Sequence, residues 1–313
     1  MNMRFLLTLK VKYKRNSMIQ KLSILVILVF FLLSGCHNKG TQQEQLSDDT
    51  LIGFDETEEI KEVYYRFPSP DEMLNFINRE QIRFNDDYLH SADRAGSYLD
   101  SKSEALNLGV YIADLAFVTL FERQKEAYSY IQVIYGLSDK LRISAAFDPA
   151  KAKQFEENLG NIDSLKALAD EALDDITHYL VREDKERVLA VISIGGFVES
   201  LYLAFQVVDE YTEDNLIIQR ISDQKLVLEN LLNYSLEYAG DKNVSDAINM
   251  IHPIRAVYNE MVSSVEETKV DKDQNGKLVI SGGEKIHISE AQYMKLRNAT
   301  FDVREKIVEN LEN

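Results

Sequence analysis

Residues 105–121 read ALNLGVYIADLAFVTLF, and residues 188–208 read VLAVISIGGFVESLYLAFQVV. Each is an apolar run interrupted by one carboxylate, Asp114 in the first and Glu199 in the second. Apolar residues recur three and four apart over a length well beyond a normal strand, so both read as helices. The same spacing predicts helices near 102–123, 125–142, 149–159, 162–182, 186–210, 214–239 and 243–264. Breaks fall at Asp148-Pro149, Gly160-Asn161, the charged residues 182–185, the polar residues 211–215 and Gly240-Asp241. His252-Pro253 is placed to kink the last of these helices or to begin a new one.

The two runs echo each other. Leu108-Gly109-Val110-Tyr111-Ile112, followed by Leu115, lines up with Ile194-Gly195-Gly196-Phe197-Val198, followed by Leu201. Further on, Ile134 with Leu137-Ser138-Asp139-Lys140 lines up with Ile218 and Ile221-Ser222-Asp223-Gln224, and Asn161-Ile162 with Asn243-Val244. The order is kept while the offset drifts slowly. Two copies of a helical unit, 102–183 and 186–264, account for this, with solenoid-like stacking of the kind seen in tetratricopeptide repeats as one arrangement. Coincidental similarity between amphipathic helices accounts for it equally. In either case Gly109 and Gly195 are placed for close helix–helix approach, because a mid-helix Gly costs about 1 kcal/mol relative to Ala and needs a packing reason.

Outward from this core the chain changes character at both ends. Towards the C-terminus, residues 268–288 read TKVDKDQNGKLVISGGEKIHI. Asn275-Gly276 predicts a tight hairpin turn and Gly282-Gly283 a second one, giving a small β-meander over 268–288. Ser289-Glu290-Ala291-Gln292 matches a capping box that opens a final helix over 289–309. Towards the N-terminus, Ser69-Pro70-Asp71-Glu72 predicts a helix start, with the helix running over 70–82. The body as a whole, 64–313, is expected to be mainly α, an antiparallel helical bundle with the meander attached.

Residues 18–36 read MIQKLSILVILVFFLLSGC. A positive charge, Lys21, precedes a twelve-residue apolar run and a small-residue ending, the layout of a signal peptide. The run is short for a membrane-spanning helix, which needs about 20 apolar residues. The ending Leu33-Ser34-Gly35-Cys36 resembles the lipobox of bacterial lipoproteins. That resemblance implies a signal peptide over 1–35, cleavage before Cys36 and diacylation of Cys36, a palmitate-type anchor in a lipid bilayer. Met18 is an alternative start for the precursor. Cys36 is the sole cysteine of the chain, so no disulfide forms within it. Residues 36–63 are polar and aromatic-poor and read as a flexible tether. No acidic cluster directly follows Cys36, which points to the cell envelope with a periplasm-facing position on the outer membrane.

The formal net charge of the 313 residues is −17. Residues 1–35 carry basic side chains and no acidic ones, so the part after Cys36 is more acidic still. Such a field disfavours nucleic acid and anionic surfaces. It suits a soluble body held near a membrane, or a basic partner.

Three kinds of chemistry can be weighed. Asp114 and Glu199, if buried, would have raised pKa values and could act as acid or base. Tyr111 and Tyr202 lie three residues away from them and could share their faces, so these four residues mark the place to look for a pocket. The milder account puts each acid on a wet helix face or against a helix end. Asp271, Asp273 and Asn275 match the first half of a calcium loop, but its twelfth position is Gly282, where a Glu is required. The five histidines, His37, His90, His178, His252 and His287, have no metal-site spacing and read as surface or boundary residues. Neither a nucleophile elbow nor a phosphate-binding loop is present, and no cofactor is implied.

Taken with Phe67-Pro68-Ser69-Pro70, residues 105–111 and 113–115, and Glu199-Ser200-Leu201-Tyr202, the chain resembles uncharacterised helical lipoproteins of Gram-negative bacteria. That resemblance implies location and fold and brings no activity. The expected function is a membrane-anchored, non-enzymatic scaffold or binding module for another envelope protein or a small ligand. The alternatives are an enzyme built on Asp114 and Glu199, or a calcium-stabilised module.

Overall fold

A computed structural model describes residues 83–147, 149–158, 161–272 and 278–310. All belong to the second of the two units into which the chain divides, Phe54–Asn313. The predicted signal peptide, Cys36, the tether and the 70–82 helix lie outside the described residues.

The chain enters through a strap, residues 83–98, that holds two short 3-10 turns, Asp86–Tyr88 and Ala92–Ser97. Helices α1 (Ser101–Leu120), α2 (Gln124–Lys140), α3 (Pro149–Glu157), α4 (Ile162–Arg182), α5 (Glu186–Gln206), α6 (Leu216–Glu237), α7 (Lys242–Met250) and α8 (His252–Asn259) follow. A hairpin of β1 (Val262–Lys272) and β2 (Leu278–His287) comes next, and α9 (Glu290–Val308) closes the chain. The fold is mainly α with one small antiparallel sheet.

Local chemistry explains where the helices begin. The side chains of Asp100, Asn161, Asn215, Asp241 and Ser289 each accept a hydrogen bond from a backbone N–H of the first turn, which satisfies donors that have no partner inside the helix. Ser289 and Gln292 form the predicted capping box. The ends are less conventional. Glu122, Arg142, Asp184 and Asn310 stand just past α1, α2, α4 and α9 with φ of 54°, 56°, 53° and 52°, where Gly is the usual occupant.

Helices α1 and α5 form the centre. A Cβ on Gly109 would sit 2.0 Å from the Ile192 carbonyl oxygen and 2.5 Å from the Gly196 nitrogen. A Cβ on Gly195 would sit 2.0 Å from the Leu106 carbonyl oxygen. The two backbones therefore touch, as the mid-helix glycines predict. Both helices are apolar and long enough to span a membrane by composition, yet 78% and 89% of their apolar windows are buried inside the fold. Burial in a protein core accounts for their composition. Around this pair pack α2, α4, α6, α7 and α9, sharing one continuous apolar core from Tyr98 to Val308. A second, small cluster joins Ile131 and Phe155 at the α3 side.

Two expectations change. The 243–264 stretch is two short helices, α7 and α8, the second of the two outcomes expected at His252-Pro253, because Pro253 lies in the first turn of α8 and cannot continue the α7 ladder. The meander is a two-stranded hairpin that starts earlier, at Val262. Gly282 and Gly283 lie inside β2, where the register shifts between Glu266 and Lys269, so they accompany a bulge rather than a second turn. Repeat or solenoid stacking is not shown: the first helices of the two supposed units pack on each other within a single core. The Asn275-Gly276 turn lies outside the described residues.

Candidate functional site: a sealed charge cluster at the helix crossing

The crossing at Gly109 and Gly195 carries Asp114 and Glu199 on the turns that follow, and it brings the two carboxylates into electrostatic contact. Both are fully buried, at 0% exposure. Their milder reading, a wet face for each, is therefore corrected. The third member is Arg304, on α9. Its Nε donates to Glu199 Oε2 at 2.8 Å and its Nη2 to Oε1 at 3.0 Å. This two-point fork is the strongest geometry available to such a pair. The guanidinium also lies over the Tyr202 ring, 4.1 Å from its centroid, a favourable cation–π contact. Only 14% of the Arg304 side chain is exposed.

Asp114 faces the strap. Its Oδ2 accepts the His90 backbone N–H at 3.2 Å, while Oδ1 receives no hydrogen bond. Burial pushes the Asp114 carboxyl well above the ordinary carboxylate range, and the charge of Glu199 pushes it further. Arg304 and the His90 N–H pull the other way without cancelling the rise. Burial pulls Arg304 down, but the charge and hydrogen bonds of Glu199 outweigh that and hold it above its usual value.

An aromatic group continues the site towards the strap. The His90 ring stacks on Tyr111, with centroids 5.1 Å apart, and His90 Nε2 meets the Tyr98 hydroxyl at 2.6 Å. Tyr98 donates to the Val308 carbonyl at 2.9 Å, so its single proton is committed and His90 Nε2 carries the proton of the neutral ring. Tyr130 donates to the His90 carbonyl and Tyr111 to the Ser91 carbonyl, each at 2.9 Å. Burial depresses the His90 imidazole to about 3, with the charges of Arg304 and Arg94 adding to it. Burial also pushes up the Tyr98 phenol, to about 12, and those of Tyr111 and Tyr130.

Of the four residues singled out in the sequence, all surround this cluster, but the tyrosines do not bond the acids next to them. Tyr111 bonds the strap, and the Tyr202 hydroxyl accepts from Gln206 at 2.5 Å. Arg304 and His90 were not singled out. Nothing in the sequence distinguishes Arg304 from the other cations of α9, and His90, read as a surface or boundary residue, is buried at 6% exposure. Of the calcium candidates, Asp271 lies in β1 opposite Val279, and Asp273 and Asn275 lie outside the described residues. Among the described residues no three His, Cys, Asp or Glu side chains gather as a metal site.

Chemically, the cluster is turned inward. Glu199 gives both oxygens to Arg304, and Asp114 gives one to the strap backbone, with neither carboxylate reaching solvent. It fastens α1, α5, α9 and the strap together. Comparison with known proteins finds no family model, no curated protein and no solved structure that matches the chain.

Proposed function

We propose that this chain is an envelope lipoprotein, acylated at Cys36, whose acidic helical body serves as a non-enzymatic scaffold or binding module for another envelope protein. The observation that carries the anchor is the sequence itself: a short apolar run feeding into a solitary cysteine after Leu33-Ser34-Gly35. Each buried methylene of an acyl chain contributes about 0.8 kcal/mol to membrane binding, so two or more chains carried by one cysteine hold firmly. Support for a non-enzymatic body comes from the inward-facing charge cluster, whose acids lie out of reach of a substrate. A surface cleft of about 240 Å³ between the start of α1 and the end of α9, lined by Asp100, Lys102, Ser103 and Lys306 among others, is below the usual volume of a small-ligand pocket. The absence of an acidic run behind Cys36 supports a periplasm-facing position.

The test is metabolic labelling with a palmitate analogue in the native host. Wild-type protein should take the label and fractionate with membranes, and Cys36→Ser should lose the label and retain its signal peptide. Label on Cys36→Ser, or a wild-type protein that keeps its first residues, overturns the anchor. Cross-linking of the labelled protein in intact cells should then yield a discrete protein adduct; recovery of the uncross-linked chain alone counts against a scaffold.

A further inference from the structure

The strap, residues 83–98, is the first described part of the body after the stretch that leads from Cys36. It has little regular structure of its own, yet it is fastened by the His90 N–H to Asp114, by Tyr130 and Tyr111 to its own carbonyls, and by Tyr98 to Val308. Lys140 Nζ adds a bond to the Tyr98 carbonyl at 3.1 Å, and Arg94 pairs with Glu309 at 2.7 Å. The first of these fastenings ends on a carboxyl group inside the core.

Charge balance there is uneven. Two carboxylates, Asp114 and Glu199, share one guanidinium, Arg304, in a place without solvent. With both acids ionised a negative charge would remain uncompensated in the core, which is strongly unfavourable. Glu199 holds the fork to Arg304 and therefore the charge. Asp114 Oδ1, which has no donor, is the atom left to carry a proton, with the Glu199 carboxylate as the acceptor nearby. The other groups facing Asp114 are the phenols of Tyr111 on α1 and Tyr130 on α2, and the neutral imidazole of His90 on the strap. None of them brings a second positive charge.

We propose that the strap is a pH-gated latch, closed while Asp114 and Glu199 hold one proton between them and opening as that proton is lost. Lifting the strap removes the His90 N–H from Asp114 and admits water to the carboxyl, which then releases its proton. The same movement frees the His90 ring to take one up. The two groups thus act in opposite directions, and the sign of the dependence follows from both.

The closed state holds the Asp114 proton above the ordinary carboxylate value of 3.8, and excludes a proton from His90 down to about 3 against an ordinary 6.5. Between pH 3.8 and 6.5 opening releases one proton and takes up another, so the latch is indifferent to pH. Above 6.5 only the Asp114 release remains, and opening becomes about tenfold easier per pH unit until the closed carboxyl itself ionises. Below 3.8 only the His90 uptake remains, and opening becomes easier as pH falls towards about 3.

Hydrogen exchange of peptides covering 83–98 in the full chain, corrected for intrinsic exchange, reads the opening constant directly. The expected wild-type profile is flat from about pH 4 to 6.5 and rises about tenfold per unit above it. Asp114→Asn keeps the acceptor for His90 and carries no titrating proton, so its profile should fall up to pH 6.5 and stay flat above. A wild-type profile that is flat above 6.5, or the same rise in Asp114→Asn, overturns the proposal. Infrared spectroscopy supplies an independent readout on the wild type alone. It should show the carbonyl stretch of a protonated carboxylic acid at neutral pH, fading as the strap opens, and a spectrum without that band also overturns the proposal.

Discussion

Gly109 and Gly195 meet the opposite helix in reciprocal fashion: the first lies against Ile192, three residues before Gly195, and the second against Leu106, three residues before Gly109. Each glycine leaves room for a carbonyl where any other residue would place a Cβ. The crossing sets the separation of α1 and α5, and with it the position of Asp114 and Glu199, one turn or so further along both helices.

Gly109→Ala and Gly195→Ala should therefore each destabilise the fold strongly. The nearest atoms are backbone, not the far end of a flexible side chain, so the helices must part. The expected loss is at the upper end of the overpacking range, about 3 kcal/mol. Gly136→Ala is the control, since nothing lies within 4 Å of its Cβ position, and in a helix interior it should gain up to about 1 kcal/mol. Urea unfolding separates the two outcomes, and equal effects at Gly109 and Gly136 would refute the close crossing.

Arg304→Met should cost about 3–5 kcal/mol, because it leaves Glu199 buried without a counter-charge. Replacing both members, Glu199→Met with Arg304→Met, should cost less than Arg304→Met alone, since no uncompensated charge then remains. Arg304→Lys keeps the charge but loses the fork and the flat contact with Tyr202, and should fall between. Denaturant unfolding of the wild type, Glu199→Met, Arg304→Met and the double variant gives the coupling energy of the pair. A double variant worse than the sum of the single changes would show that the pair's role is not electrostatic.

The central helices were legible in the sequence because an apolar run of twenty residues with a mid-helix Gly has few other uses. Helix starts were legible for the same reason that they form: Asp100, Asn161, Asp241 and Ser289 are side chains that cap. The helix ends were not, and α1 and α2 were read three and two residues too long. Their stop signals are missing, since Glu122 and Arg142 occupy positions where Gly would have announced the turn. The hairpin was legible as strands, but Gly282-Gly283 read as a turn because a bulge and a turn both recruit glycine. As for the site, the two acids stood out against apolar surroundings. Arg304 did not, because its helix places it more than 100 residues away in sequence from Glu199, and a cation on a polar helix carries no mark of what it will meet.

Arg142→Gly should stabilise the protein. The left-handed backbone at φ 56° costs an L-residue about 1–2 kcal/mol, and Gly adds about 0.5–1 kcal/mol of unfolded-state entropy against it. The Arg142 backbone bonds survive the change, because its N–H donates to the Asp139 carbonyl and its own carbonyl accepts from Lys185 Nζ. A net gain of about 0.5–1 kcal/mol follows, read as a higher Tm. Arg142→Val should do the reverse, because a β-branched side chain tolerates that conformation least.

Tyr130→Phe addresses the strap while leaving Asp114, Glu199 and Arg304 in place. The Tyr130 hydroxyl donates to the His90 carbonyl at 2.9 Å in a buried setting. Its removal leaves that carbonyl unpaired, at a cost of about 1–3 kcal/mol. Because the strap is joined to the core through a few hydrogen bonds, while α1 and α5 are joined through backbone contact, the loss should fall unevenly. Hydrogen exchange of residues 83–98 should accelerate by roughly the factor that 1–3 kcal/mol implies, about five- to 150-fold. Exchange within α1 and α5, which tracks global unfolding, should move by no more than the same free energy and retain its large lead in protection. If the strap and the central helices instead lose protection together and to a common value, the strap unfolds only with the whole body, and it is part of the core rather than a separately opening latch.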